Sequence, residues 1–186
     1  MNEPTIKIRP AWATDAPALA RVHVDAWRTT YRGILPAEGL AGLSYERREH
    51  GWNEVLALVP EQRQVIFVAE DQTGQIVGFS SAGRETSGDA VYKAELYAIY
   101  ILEEHQRRGL GRRLMHVAVD GLVQAGYTTM LLWVLADNVG GRRFYEMLGG
   151  RVLREKCIAI FGVTVNEYAY GWDDLAKLVA ATAQAY

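Results

Sequence analysis

The sequence predicts a single α/β domain, and three observations carry that expectation. Apolar residues recur at helical spacing in some stretches and at strand spacing in others, along the whole chain. One run, Met130 to Leu135, is apolar throughout, as in a strand buried on both faces. The chain has 186 residues, 49% hydrophobic and 23% charged, enough to bury a core without a disulfide or metal staple. No repeat or low-complexity linker divides it, and roughly 100–200 residues make one domain.

The elements follow in order. Thr5 to Arg9 alternates apolar and polar residues as a short strand does. Thr14 or Asp15 is placed to cap a helix that tolerates Pro17 in its first turn. In that helix Leu19, Val22, His23, Ala26 and Trp27 recur at helical spacing toward Tyr31. Gly33 and Pro36 interrupt it. A second helix is expected from Ser44 to Leu58, with Trp52, Val55, Leu56 and Val59 on one side and Pro60 as its stop. Gln64–Glu70 and Gln75–Ala82 read as a hairpin around Asp71-Gln72-Thr73-Gly74. A long strand is expected from Val91 to Leu102. From Leu110 to Ala125 the helical period returns, and Gly126 ends it. Asn138 to Leu148 reads as another helix closed by Gly149-Gly150. Strands near Arg151–Phe161 and Thr164–Trp172 flank Gly162, and the Ala-rich tail from Asp173 to Tyr186 is helical in propensity.

Composition excludes more than it selects. Twenty basic residues against 22 acidic ones give a net charge of −2, which weighs against a general nucleic-acid grip. Cys157 is the only cysteine, so no internal disulfide and no cysteine-based zinc site can form. Its apolar neighbours suggest a buried thiol in a strand. His23, His50, His105 and His116 lack metal-ligand spacing, so no metal site is expected. No apolar run reaches the roughly 20 residues of a membrane span. Met1-Asn2-Glu3-Pro4 lacks the features of a signal peptide, and a cytoplasmic protein is the expectation.

The stretch from Glu95 to Met115 carries the chemistry. A strand leads through a tight loop, Gln106-Arg107-Arg108-Gly109-Leu110-Gly111, directly into a helix. Main-chain N–H groups of such a loop and of the helix's first turn form an anion site, and glycine lets a phosphate approach closely. Arg107, Arg108, Arg112 and Arg113 add charge. It is neither a P-loop, which needs Gly-Lys-Ser/Thr where Gly111 is followed by Arg112, nor a dinucleotide fingerprint, which needs a small residue at Leu114.

Gln106-Arg-Arg-Gly109-Leu-Gly111 resembles the Gln/Arg-x-x-Gly-x-Gly/Ala signature of the GNAT superfamily, the acetyl-CoA-dependent N-acetyltransferases. Asn138 to Gly149 resembles the family's Asn-x-x-Ala-x-x-x-Tyr-x-x-x-Gly helix, with Gly141 in place of the alanine and Gly150 where an aromatic often follows. The order of elements also matches. The resemblance implies a mixed, splayed sheet of about six to seven strands flanked by about four helices. It implies a catalytic domain over residues 1–172 and a helical extension over 173–186.

The resemblance also implies roles. Main-chain N–H groups from Arg107 through Gly109, Leu110 and Gly111 to Arg112 would bind the CoA pyrophosphate, with Gln106 opening the motif. Main-chain groups of Ile99 and Ile101 would hydrogen-bond the pantetheine arm, and Asn138 would bond nearby. Tyr145 would protonate the leaving thiolate. Glu95, four residues before Ile99 and by period 2 on its face, would serve as general base directly or through a water, or stand as a solvated carboxylate. No metal is implied.

The implied function is acetyl transfer from acetyl-CoA to a primary amine of a small molecule, peptide or protein by direct attack. The alternative is a non-catalytic acyl-CoA-binding regulatory module of the same fold. An enzyme acting on charged transfer RNA would need a basic face, which the near-neutral charge disfavours. Trp27-Arg28-Thr-Thr-Tyr31-Arg-Gly33 resembles a widespread bacterial subgroup. Trp27 and Tyr31, at i and i+4, would wall the amine pocket with Asp25, or pack the helix on the sheet. Leu175, Leu178, Val179 and Thr182 of the tail would pack on the domain or on a second copy in a homodimer.

Overall fold

A computed structural model describes residues 6–62 and 64–183, without the side chains of residues 59–62. The expectations at Met1 to Thr5, at the Val59 and Pro60 side chains and at the end of the tail lie outside this description. The order is β1 (Lys7–Pro10), α1 (Ala16–Thr30), α2 (Ala37–Ala41), α3 (Tyr45–Gln62), β2 (Val65–Glu70), β3 (Ile76–Arg84), β4 (Ala94–Ile101), α4 (Leu110–Gln124), β5 (Met130–Leu135), α5 (Val139–Met147), β6 (Arg151–Ile160), β7 (Val163–Trp172) and α6 (Leu175–Ala183). Seven strands form one sheet in the order β1-β2-β3-β4-β5-β7-β6. Every pairing is antiparallel except β4 with β5, so the sheet is mixed.

α1 packs on β3 and β4 with α3 beside it, and α4 packs on β2, β3 and β4 with α6 on its outer side. Leu19, Val22, Trp52 and Phe79 centre one core; Met115, Leu122, Met130, Leu132 and Tyr170 centre the other. The continuous apolar run of β5 is central, as expected, and buried at all its positions except Trp133. Among the described residues no helix is long and apolar enough to cross a membrane, and no group of three or more His, Cys, Asp and Glu is placed to hold a metal ion.

Several local readings change. Asp15 stands at the N-cap of α1 without a side-chain capping bond. Its carboxylate takes the Trp12 N–H and the Arg9 guanidinium instead. α3 continues past Pro60 to Gln62; a proline in the last turn breaks only one ladder bond. β4 begins at Ala94 rather than Val91, because Asp89 Oδ1 accepts the N–H groups of Val91 and Tyr92 and holds them in a turn. Cys157 is exposed: β6 is an edge strand, and the thiol reaches Asn166 Oδ1 at 3.1 Å.

The tail packs on its own chain. Leu175 and Leu178 are buried against Met115 and Leu122, and the Thr182 hydroxyl meets His116 Nδ1 at 2.9 Å.

Candidate active site

The loop after β4 is shaped by two left-handed residues, Arg107 (φ 61°) and Gly109 (φ 74°), the second being the N-cap of α4. Space is open where a Cβ at Gly109 would stand. Among the described residues no acceptor meets the main-chain N–H groups from Arg107 to Arg112. Arg113 is the first residue to bond back, to the Gly109 carbonyl at 3.2 Å. This row of donors at the positive end of a 15-residue helix is an anion cradle. Gln106 closes the loop: its Nε2 donates to the Ile101 carbonyl at 2.9 Å.

The charge around the cradle is smaller than the sequence suggests. Arg107 and Arg108 are exposed beside it. The Arg112 side chain instead donates to the Ala181 carbonyl in the last turn of α6, and Arg113 Nη2 donates to the Ile6 carbonyl at 2.7 Å. Two of the four arginines therefore hold the fold together.

The sheet opens beside this loop. β4 pairs with β5 only at Ala94 with Met130 and Glu95 with Leu131, and beyond Glu95 the parallel strands part. β4 stays paired with β3 up to Ile101. The Leu102 N–H donates to the Val77 carbonyl at 2.9 Å, which fixes the alternation of the antiparallel ladder. The main-chain groups of Ile99 and Ile101 consequently face the gap, with the Ile101 carbonyl taken by Gln106.

On the α1 face the gap is backed by a cavity of about 280 Å³. Trp27, Tyr31, Tyr100, Trp133, Glu95 and Glu167 line it. Glu95 does not share the face of Ile99, as simple alternation predicts. The β3–β4 register shifts between Ser81 and Ala82, which pair with Ala98 and Leu96, so Tyr97 is an extra residue. This bulge inverts the alternation and puts Glu95 on the same face as Tyr100. Burial raises the Glu95 pKa, the charges of Glu85 and Glu167 raise it further, and Lys156 opposes them. Lys156 lies 3.5 Å from Glu167 and stacks over Trp133. The hydroxyls of Tyr31 and Tyr100 are 3.3 Å apart, and burial raises both pKa values.

Tyr145 approaches from the opposite face. It sits on α5 against Phe144, Tyr170 and Trp172. Its hydroxyl has no hydrogen-bond partner among the described residues, and burial, then the Tyr100 charge, raises its pKa far above the ordinary tyrosine value. Neutral pH leaves it protonated.

Asn138 begins α5. Its Oδ1 accepts the Gly141 N–H at 2.9 Å, and its Nδ2 has no partner among the described residues. A Cβ at Gly141 would come within 2.8 Å of Nδ2, so the Asn138 side chain as it lies here would have to shift to admit one. Gly150 likewise leaves room for Trp172, which a Cβ would meet at 2.6 Å. Trp172, whose Nε1 donates to the Leu148 carbonyl at 2.8 Å, fills that place from β7.

Glu95 thus lines the cavity, Ile99 and Ile101 turn main-chain groups to the gap, and the cradle lies at the end of β4, while Asn138 caps α5 and Tyr145 lies near enough to Tyr100 to feel its charge. Trp27 and Tyr31 wall the cavity as well as pack. Asp25 does not reach it: its carboxylate accepts the Tyr45 hydroxyl at 2.6 Å. Sequence reading passed over Tyr100, Trp133, Lys156 and Glu167. Period 2 on β5 and β7 places Trp133 and Glu167 on one face, but only the topology brings them beside β4.

An opened sheet with a donor cradle at one end is an arrangement suited to an anionic cofactor. The sequence profile of the acetyltransferase (GNAT) family matches residues 24–150. The uncharacterised N-acetyltransferase YuaI of Bacillus subtilis is 38% identical over 173 residues, covering 93% of this chain and 96% of that protein. A probable N-acetyltransferase of Mycobacterium tuberculosis is 28% identical over 91% of this chain and 95% of its own length. Among solved structures, the PaiA N-acetyltransferase of Thermoplasma acidophilum in complex with coenzyme A shares the fold at TM-score 0.74, with 20% identity over 90% of this chain and 98% of its own. YncA of Salmonella typhimurium, a putative acetyltransferase solved with acetyl-CoA, does so at 0.70, with 23% identity over 92% and 94%. The chain belongs to the acetyltransferase (GNAT) family.

Proposed function

We propose that the protein moves an acetyl group from acetyl-CoA to a primary amine by direct attack in a ternary complex. One observation carries the reading: β4 leaves β5 just past Glu95, which lines the cavity behind the gap, while Tyr145 packs against Tyr170 of β7 and lies near enough to Tyr100 to feel its charge. The names of the similar proteins support it.

Acetyl-CoA, when bound, supplies an acetyl group activated as a thioester. The N–H groups from Arg107 to Arg112 would take its phosphates, and the side chains of Arg107 and Arg108 would add charge from outside. Ile99, through its N–H and carbonyl, and Ile101, through its N–H, would hydrogen-bond an extended arm in the manner of an added strand. Gln106 is a positioning residue, fixing the end of β4 through the Ile101 carbonyl. Asn138 Nδ2, which has no partner among the described residues, would donate to the arm nearby. A main-chain N–H near Ile101 would polarise the acetyl carbonyl. Glu95 takes the proton of the amine, directly or through a water, and Tyr145 Oη delivers one to the departing sulfur. We take residues 1–172 as the domain that would carry this site and 173–186 as an extension to it, of which α6 (Leu175–Ala183) packs on α4.

The test is thiol release from acetyl-CoA across dipeptides, polyamines, aminoglycosides and N-terminal peptides. At least one amine should stimulate release, and Tyr145→Phe should lower its turnover by about 10²–10⁴-fold. Tight CoA binding with no amine-stimulated release would instead support the non-catalytic module.

A further inference from the structure

A second cavity adjoins the first. It measures about 770 Å³, lies at the end of β4 remote from the cradle, and is walled by Arg84, Glu85, Lys93, Tyr97 and Tyr127 among others. Tyr97 lines both cavities. One face of the chain runs from one to the other: Lys93 in the outer cavity, Tyr97 at the junction, Glu95 and Tyr100 in the inner. The bulge keeps Tyr100 on that face. From Lys93 to Glu95 is roughly 7 Å of strand, so a chain whose terminal amine meets Glu95 sets its next few residues over Lys93 and Arg84.

The junction is built into the sheet. The Tyr97 hydroxyl donates to the Arg84 carbonyl at 2.5 Å, so the ring lies across β3. It crosses at Gly83, where a Cβ would stand 3.0 Å from the hydroxyl oxygen. Bulge, glycine and hydrogen bond together fix Tyr97 as a sill between the cavities.

The outer cavity has committed anions and uncommitted cations. Glu85 accepts the N–H groups of Ser87, Gly88 and Asp89. Asp89 accepts those of Val91 and Tyr92 and pairs with Arg154 at 2.7 Å. Among the described residues, Arg84 has no carboxylate partner, and Lys93 Nζ donates only to the Asp89 main-chain carbonyl. A polycation lying through both cavities would therefore place a charge against Arg84 and Lys93. A chain with an amine at its tip and carboxylates behind it matches both ends.

We propose that the acceptor is an extended peptide bearing acidic residues a few positions behind its reactive amine. It crosses Arg84 and Lys93 and passes over Tyr97, which sets specificity, to bring that amine to Glu95. This rests on the amine acetylation proposed above and narrows its substrate class.

The experiment compares three acceptors sharing one N-terminal residue: a peptide of about six residues with acidic third and fourth residues, its counterpart with lysines there, and the single-residue amide. KM is read from thiol release. Binding is read from the anisotropy of C-terminally labelled peptides on the CoA-saturated protein. The acidic peptide should show a KM at least about tenfold below the other two, a difference of about 1.4 kcal/mol. The double variant Arg84→Glu, Lys93→Glu should invert the order of the acidic and basic peptides, with thermal melting checking that it folds. Tyr97→Ala should raise KM for the acidic peptide more than for the amide.

Turnover of the amide with no advantage for the acidic peptide overturns the extended acceptor and leaves acetyl transfer standing. No amine-stimulated thiol release with any of the three acceptors sinks the acetylation reading. In that case anisotropy still decides: failure of the acidic peptide to bind more tightly than the basic one overturns the proposal too.

Discussion

A half-buried carboxylate facing other carboxylates holds its proton to higher pH, and Glu95 is such a group, raised by burial first and by Glu85 and Glu167 after it. A base works only when deprotonated, so the rate should climb with pH along an acid limb displaced above the ordinary carboxylate range, about 4.3 for glutamate. Folding responds with the opposite sign. A raised folded pKa contributes stability that is fully present below the unfolded value and lost as pH rises through the folded one. Glu95→Gln should thus abolish the acid limb and lower turnover by about 10²–10⁴-fold, while the protein melts at a higher temperature at neutral pH. A variant that keeps the limb would move the base to another residue. The conflict between activity and stability at one side chain is what a tuned catalytic group implies.

At the scale of elements, α5 shows how two adjacent glycines differ. Gly140 meets only the edge of Asn138, 4.0 Å away, whereas Gly141 holds the Asn138 amide against its α-carbon. Gly140→Ala should stabilise by about 0.4–1 kcal/mol, since the helix accepts a methyl there and the unfolded chain loses freedom. Gly141→Ala should destabilise by about 0.5–2 kcal/mol through the displaced cap, and calorimetry of the pair would reveal any error in this account. The same helix shows what sequence makes legible. Its boundaries, its cap at Asn138 and the position of Tyr145 could be read from spacing, as could the strand pattern and the glycine loop, because each depends on neighbours in the chain. The bulge at Tyr97 could not, since a bulge is a relation between two strands and leaves no mark in the period of one. For the same reason Cys157 was misplaced: its apolar neighbours identify a strand, but whether that strand is an edge is settled by topology. The short α2 and the turn that consumes Val91 depend on side-chain hydrogen bonds and packing partners that spacing does not encode.

At the scale of the molecule, helices cover both faces of the sheet over β3 and β4, and a histidine sits inside one layer. His23 packs among Trp27, Trp52, Phe79 and Tyr100. Burial, aided by the charge of Arg48, lowers its pKa from 6.5 to about 3. The unfolded chain then binds a proton that the folded chain refuses, so stability falls as pH drops below 6.5, by up to about 1.4 kcal/mol per pH unit from this group. Denaturant midpoints measured from neutral pH down to about pH 4 should show that slope, and His23→Phe should flatten it; an unchanged slope would assign acid sensitivity elsewhere. The parting of β4 from β5 has a further meaning for the molecule as a material. This sheet is two planks fastened by the two residue pairs at one end of a shared seam. Its softest joint therefore runs through its centre, and anything that lies along the seam and bonds both edges acts as a splice. The chain gains rigidity where its own hydrogen bonds are missing, so its compliance, more than its shape, is what an occupant of the gap would change.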